Sequence, residues 1–131
     1  MAKIPAEFLD LFEKKAFGHL ATIMKDGSPQ VTPLWVDYDG KYVLINSARG
    51  RVKDKNMRRD ARVAIEVQDP QNSYRYILIR GVVVEDTELG AVEHIEKLSM
   101  KYTGQPFSGH QPGIARVIYK IAPRKVTTSR S

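Results

Sequence analysis

Two Asp-Gly pairs, Asp26-Gly27 and Asp39-Gly40, separate three runs rich in Val, Ile, Leu, Thr and aromatic side chains: His19 to Met24, Gln30 to Val36 and Lys41 to Asn46. Asp-Gly is the pair that suits a tight hairpin turn, so the spacing predicts an antiparallel meander. Three more strand-like runs follow, Arg62 to Gln68, Tyr74 to Glu85 and Ala115 to Ile121, with Gly81 expected to bend the long middle one. Helical periodicity is confined to short segments. Phe8, Leu11, Phe12 and Lys15 repeat at three and four within Pro5 to Lys15, where Pro suits the first turn. Val52 to Arg59 reads as a second helix. Ala91, Ile95, Leu98 and Tyr102 mark a third from Leu89 to Tyr102, with Gly104 placed to cap it. Residues Gly104 to Gly113 read as a loop and Pro123 to Ser131 as a short tail. The expectation is a mainly β fold: a small closed or split antiparallel barrel of six strands with flanking helices, one domain over residues 1–131.

The sequence has no cysteine. That excludes a disulfide scaffold, a Cys-ligated zinc or iron–sulfur centre and thiol catalysis. With 42 % hydrophobic residues there is enough apolar material for a core. The apolar runs fall far below the roughly 18 residues that cross a bilayer, and no signal-peptide pattern opens the chain, so no membrane partner and a cytoplasmic location are expected.

Charge is unevenly placed. The net charge is +6, and Arg49 to Arg62 alone holds seven basic and two acidic residues. The remainder is almost balanced, so an anion is expected to bind this segment; the competing reading is a solvated basic helix face. Asn46-Ser47 ends a strand, and the chain turns through Ala48 and Gly50 into a helix whose first N–H groups lack partners. Arg51 can fork onto phosphate oxygens and Lys53 supplies a compact charge. A duplex reader would spread its cations along a groove-sized face with base-reading side chains, so no nucleic-acid partner is expected, although Tyr74 and Tyr76 near a basic patch could imitate a single-strand binder.

Conventional catalytic signatures are missing. His19, His94 and His110 lack metal-ligand spacing, and His94 beside Glu93 reads as a surface residue. There is no nucleophile elbow, P-loop or GxGxxG, and Glu66 and Asp69 form no recognisable acid/base pair. No metal site and no catalytic residue is assigned; an enzyme of this composition borrows its reactive group from a cofactor.

The strings Leu20-Ala-Thr22 through Gln30-Val31-Thr32-Pro33-Leu-Trp35, Asn46-Ser47 through Arg51-Val-Lys53 to Asp60, Ser73-Tyr74-Arg-Tyr76, Arg80-Gly81, Tyr102-Thr103-Gly104 and Gln111-Pro112-Gly113 together resemble the pyridoxamine 5'-phosphate oxidase-like split-barrel flavoproteins. Within them the sequence is similar to the branch of deazaflavin-dependent reductases that use coenzyme F420. The resemblance implies an FMN-binding type of split barrel, a homodimer with cofactor sites across the subunit interface, and a small organic substrate that exchanges a hydride with the deazaflavin. It places Gln30, Val31, Thr32 and Pro33 along the ring system, Ser47, Ala48, Arg51 and Lys53 on the phosphate with Asn56 following on the same helix, and Tyr74 and Tyr76 against the ring or substrate from the partner subunit. F420 is the expected cofactor, and its acidic tail would meet Arg49, Lys55 or Arg58. FMN is the alternative, as is a non-enzymatic flavin or tetrapyrrole carrier. The full phosphate oxidases carry basic substrate-binding residues in a C-terminal extension, whereas this sequence ends at Ser131, so pyridoxamine phosphate oxidation is not the expected reaction.

Overall fold

The computed structural model describes residues 1–129. A 3-10 helix (Ala6–Phe12) leads into β1 (Gly18–Ile23), β2 (Pro29–Leu34), β3 (Asp37–Tyr38), β4 (Val43–Ala48), α1 (Val52–Arg59), β5 (Arg62–Asp69), β6 (Asn72–Thr87), α2 (Ala91–Thr103) and β7 (Arg116–Thr128). The strands form one sheet in the order β2-β1-β5-β6-β7-β4-β3, with every pair antiparallel.

There are seven strands where the sequence predicts six. The extra one is β3, inside the segment read as a turn: Asp39 accepts the N–H groups of Lys41 and Tyr42, which tightens the reversal and lets Asp37 and Tyr38 pair with Leu44 and Val43. Three other expectations change. The three-strand meander breaks after β2, which pairs with β1 while β4 pairs with β3 and β7, so Asp39-Gly40 reverses the chain between β3 and β4 and not between β2 and β4. The first helix is a shorter 3-10 helix, and the last strand continues through the expected tail as far as Thr128, because β6 runs beside it and pairs Arg80 with Lys125 and Ile77 with Thr128. Of that tail, Arg130 and Ser131 lie outside the described residues.

Chain connectivity dictates the curl. Seven flat strands would hold β2 and β3 roughly 29 Å apart at the usual spacing. Yet only Trp35 and Val36 join them, a link that spans roughly 10 Å. The sheet therefore rolls until its edges face one another across an unpaired seam, as a half-barrel. Pro29 and Pro33 are compatible with β2 because it is an edge strand and owes no ladder hydrogen bond on its outer side. Gly81 sits at the bulge in β6, where a Cβ would run into the Ala122 carbonyl.

Alternate residues of each strand fill the interior, where Leu20, Ile45, Ile65, Ile77, Ile79 and Tyr119 are fully buried. Phe8, Leu11 and Phe12 of the 3-10 helix and Met57 of α1 join the same core. Outside the barrel, α2 lays Ile95, Leu98 and Tyr102 against Trp35 and Phe107, with Trp35 stacked on Tyr102 at 5.4 Å. The end of α2 fastens the seam: the Val36 N–H donates to Tyr102 Oη at 3.1 Å, Tyr102 Oη donates to the Ala16 carbonyl at 2.7 Å, and Lys101 Nζ donates to the Val36 carbonyl at 2.8 Å. No helix among the described residues is long and apolar enough to cross a membrane.

Candidate functional site

Strand β4 ends in Asn46, Ser47 and Ala48, all buried, and the chain then turns sharply at Gly50 (φ 91°) into α1. The turn sets Arg51 immediately before the helix and Lys53 in its first turn. A third cation arrives from elsewhere: the β4–β7 register places Arg116 opposite Ala48. Arg51, Lys53 and Arg116 line a cleft of about 260 Å³ together with Pro33, Trp35 and Ser47. A wider space of about 570 Å³ continues past Arg51, Arg116 and Phe107 under the 104–113 loop.

The electrostatics of this cleft are unusual for a folded protein. Lys53 is only 8 % exposed, and among the described residues its ammonium meets one partner, Thr32 Oγ1, at 3.3 Å. Among the described residues no carboxylate lies within ion-pair distance of Arg51, Lys53 or Arg116. Burial, then the neighbouring charges of Arg51 and Arg116, push Lys53 below the ordinary lysine range. Burial and Arg51 likewise lower Arg116. Ser47 Oγ is buried on the cleft wall without a hydrogen-bond partner among the described residues. Buried polar atoms are normally satisfied, so three unneutralised cations around an orphaned hydroxyl describe a receptor for a compact anion. A phosphate monoester matches this donor set.

The adjacent residue has the opposite environment. Asp54 is fully buried and accepts from the Tyr119 hydroxyl, the Gly50 N–H at 2.9 Å, Arg49 at 3.2 Å and Arg58 at 2.9 Å. Burial raises its carboxyl, but those four donors outweigh burial and hold it below the usual carboxylate range. Arg49 also pairs with Asp86 at 2.8 Å and Glu88 at 3.0 Å. The basic segment is thus divided: Arg49 and Arg58 serve the Asp54 cluster, Arg62 is paired with Asp60 at 2.7 Å, and Arg59 donates to the Ile23 carbonyl at 3.2 Å. Arg51 and Lys53 face the cleft.

The other expected residues fall in several places. Pro33, Ser47 and Ala48 line the cleft or its extension, and Thr32 contacts Lys53. Gln30 Oε1 is buried without a partner on β2, opposite Thr22. Val31 points outward, 61 % exposed. Asn56 is buried beneath the helix, donating to Thr22 Oγ1 at 3.0 Å and accepting from Arg59. Tyr74 and Tyr76 project into solvent at the start of β6, and neither lines the cleft. Lys55 is exposed.

Three residues of the site escape a sequence reading. Arg116 stands 65 positions from Arg51, and only strand pairing joins them. Asn46 was visible as a strand end, but its amide proves to contact Arg116. His94 is not on the surface: it is buried on the inner side of α2, because Ala91, Ile95 and Leu98 carry that side against the barrel and include His94 in the same stripe. An i, i+3, i+4 count that included His94 would have placed it there.

A family model described as pyridoxamine 5'-phosphate oxidase matches residues 4–130. Among solved structures the chain is similar to an F420 reductase at 31 % identity and a TM-score of 0.85, covering 95 % of this chain and 98 % of the other. It is also similar to a conserved hypothetical protein from Mycobacterium tuberculosis, at 26 % identity and a TM-score of 0.74, covering 98 % and 86 %. An FAD-binding protein from Mesorhizobium loti, at 21 % identity and a TM-score of 0.64 over 95 % and 94 %, shares the fold. The match along nearly all of its length, on a curled antiparallel half-barrel with a cationic cleft, shows that the chain belongs to the pyridoxamine 5'-phosphate oxidase family of flavin-binding oxidoreductases.

Proposed function

We propose that the protein is an F420-dependent reductase that holds the cofactor's phosphate in the Arg51, Lys53 and Arg116 cleft and its ring along β2. The carrying observation is that cleft: cations with no carboxylate partner among the described residues, around a Ser47 hydroxyl that none of those residues engages. Similarity to an F420 reductase over nearly the full length of both chains supports the choice of deazaflavin. When bound, such a cofactor supplies a hydride from its reduced ring to an electron-poor double bond in a small organic substrate.

The chain's own residues bind and orient. Lys53 and the two arginines neutralise the phosphate, Ser47 Oγ donates to it, and Pro33 and Trp35 provide an apolar wall that excludes water from one side of the ring. Gln30 Oε1 and the β2 backbone would meet the polar edge of the ring. Of the three residues expected to meet an acidic tail, Arg49 and Arg58 are already held by carboxylates, and the exposed Lys55 is paired with none of the described residues.

The functional unit we propose is a homodimer of single-domain chains in which each site is completed across the interface. Phe17, Val31, Tyr74 and Tyr76 leave large apolar surface in water, with Tyr74 82 % exposed, and a second copy would cover it. Titrating the purified protein with F420 and separately with FMN, followed by fluorescence, tests the reading. Tight F420 binding supports it, whereas tight FMN binding without F420 binding overturns the deazaflavin assignment in favour of an FMN-dependent oxidoreductase.

A further inference from the structure

Behind the cleft lies a chain of polar side chains that the phosphate reading does not use. Arg116 Nε and Nη2 both donate to Asn46 Oδ1, at 3.0 and 2.8 Å. Asn46 Nδ2 donates to the Ala91 carbonyl at 2.9 Å and stands 3.1 Å from His94 Nδ1. His94 Nε2 in turn lies 3.2 Å from Asp37 Oδ2, which Lys97 approaches at 3.7 Å. Four elements contribute: Asp37 from β3, Asn46 from β4, Arg116 from β7, and Ala91, His94 and Lys97 from α2.

Donor and acceptor chemistry fixes every orientation. A guanidinium has only donors, so the asparagine oxygen must face Arg116 and its NH₂ must face α2. That NH₂ has only hydrogens to give, so His94 Nδ1 accepts, its proton sits on Nε2, and Nε2 donates to the Asp37 carboxylate. Neither Arg116, Asn46 nor His94 can rotate without breaking two of these bonds. The relay ends at a guanidinium whose Nη1 hydrogens have no partner among the described residues and whose other face rests on the Phe107 ring at 5.0 Å.

We propose that Asn46 is a positioning residue for the anion site, kept in register by His94 and Asp37, and that its role is to aim the free Nη1 edge of Arg116 at the bound phosphate. A half-buried arginine with neither carboxylate nor relay would sample many rotamers, and the anion would have to order it on binding. Asn46 removes that cost without neutralising the charge, which a carboxylate at the same place would do.

The inference rests on the proposed phosphate placement, and two ligand pairs separate its failure from that of the placement: FMN against riboflavin, and F420 against its phosphate-free deazariboflavin core. The FMN–riboflavin ratio reads the phosphate contact alone, and the F420 pair reads the phosphate together with its acidic tail. Asn46→Ala and His94→Leu are each expected to reduce the ratio about tenfold while leaving binding of the phosphate-free member unchanged. Adding Asn46→Ala to Arg116→Ala is expected to reduce it no further, since Asn46 acts through Arg116. Should Asn46→Ala unfold, His94→Leu and Asp37→Ala carry the same comparison. Folded variants that keep the wild-type ratio, or an additive double variant, overturn the relay and leave the placement standing. A wild-type protein that prefers neither phosphorylated ligand overturns both.

Discussion

Lys53 and Asp54 are consecutive, both buried and both ionised, yet one is left without a counter-charge and the other is surrounded by donors. Asp54 gathers Arg49, Arg58, Tyr119 and the Gly50 N–H, so its charge is repaid inside the fold and it ties the turn, the helix and β7 together. Among the described residues Lys53 meets only Thr32 Oγ1, in the company of two more cations. Buried charges of the first kind hold a structure together. Those of the second kind weaken it until a ligand arrives, which marks a binding site.

The sharpest way to break this contrast is to remove each charge in turn. Asp54→Ala leaves Arg49 and Tyr119 without their shared acceptor and is expected to destabilise the protein by about 3–5 kcal/mol in urea denaturation. Lys53→Met, which replaces an unpaired buried charge by an apolar chain of similar length, is expected to be neutral or stabilising. Equal losses for both variants would erase the distinction. The Asp54 contribution also has a pH signature. Its folded carboxyl titrates below the unfolded one, so its stabilisation is complete above the ordinary carboxylate range and disappears as pH falls through the lowered folded value.

Binding should reverse the ranking. Arg51→Ala and Lys53→Ala each remove a charge-assisted hydrogen bond worth about 1.5–3 kcal/mol, so each is expected to weaken F420 or FMN binding by about tenfold or more, with the denaturation midpoint unchanged. Calorimetric titration beside a melting curve checks both halves. A smaller effect follows from the depressed Lys53 ammonium. The anion binds the protonated form, so affinity is full at lower pH and declines as pH rises through the lowered free-state value. Lys53→Arg should remove that decline, which affinity measured from neutral to alkaline pH would reveal. The smallest effect is expected at Arg58, whose side chain is half-exposed: Arg58→Ala should cost under about 1 kcal/mol, because Tyr119, Gly50 and Arg49 still satisfy Asp54.

Much of this was legible in the sequence. The Asp-Gly pairs mark the hairpins, and the apolar spacing of Ala91, Ile95, Leu98 and Tyr102 gives α2 nearly to the residue. The segment carrying Arg51 and Lys53 stands out by charge alone. β3 was hidden because two residues are too few to show a period, and the end of β7 was hidden because Pro123-Arg124-Lys125 has the composition of a tail until β6 is laid beside it. His94 is hidden because a polar side chain beside Glu93 reads as surface, whereas its place on the helix puts it in the stripe of Ala91, Ile95 and Leu98.

The basic segment shows where local information runs out. Seven cations in fourteen residues look alike along the chain. The fold brings Asp86 and Glu88 from β6 and the following turn to Arg49, and brings Arg116 from β7 to Arg51 and Lys53. What the sequence by itself determined is where the strands, turns and helices lie and which stretch carries the charge, because turn dihedrals and apolar periods are set within a few residues. Which of those charges remain available to a ligand only the tertiary structure decided, because neutralisation depends on carboxylates and donors that strand register delivers from tens of residues away.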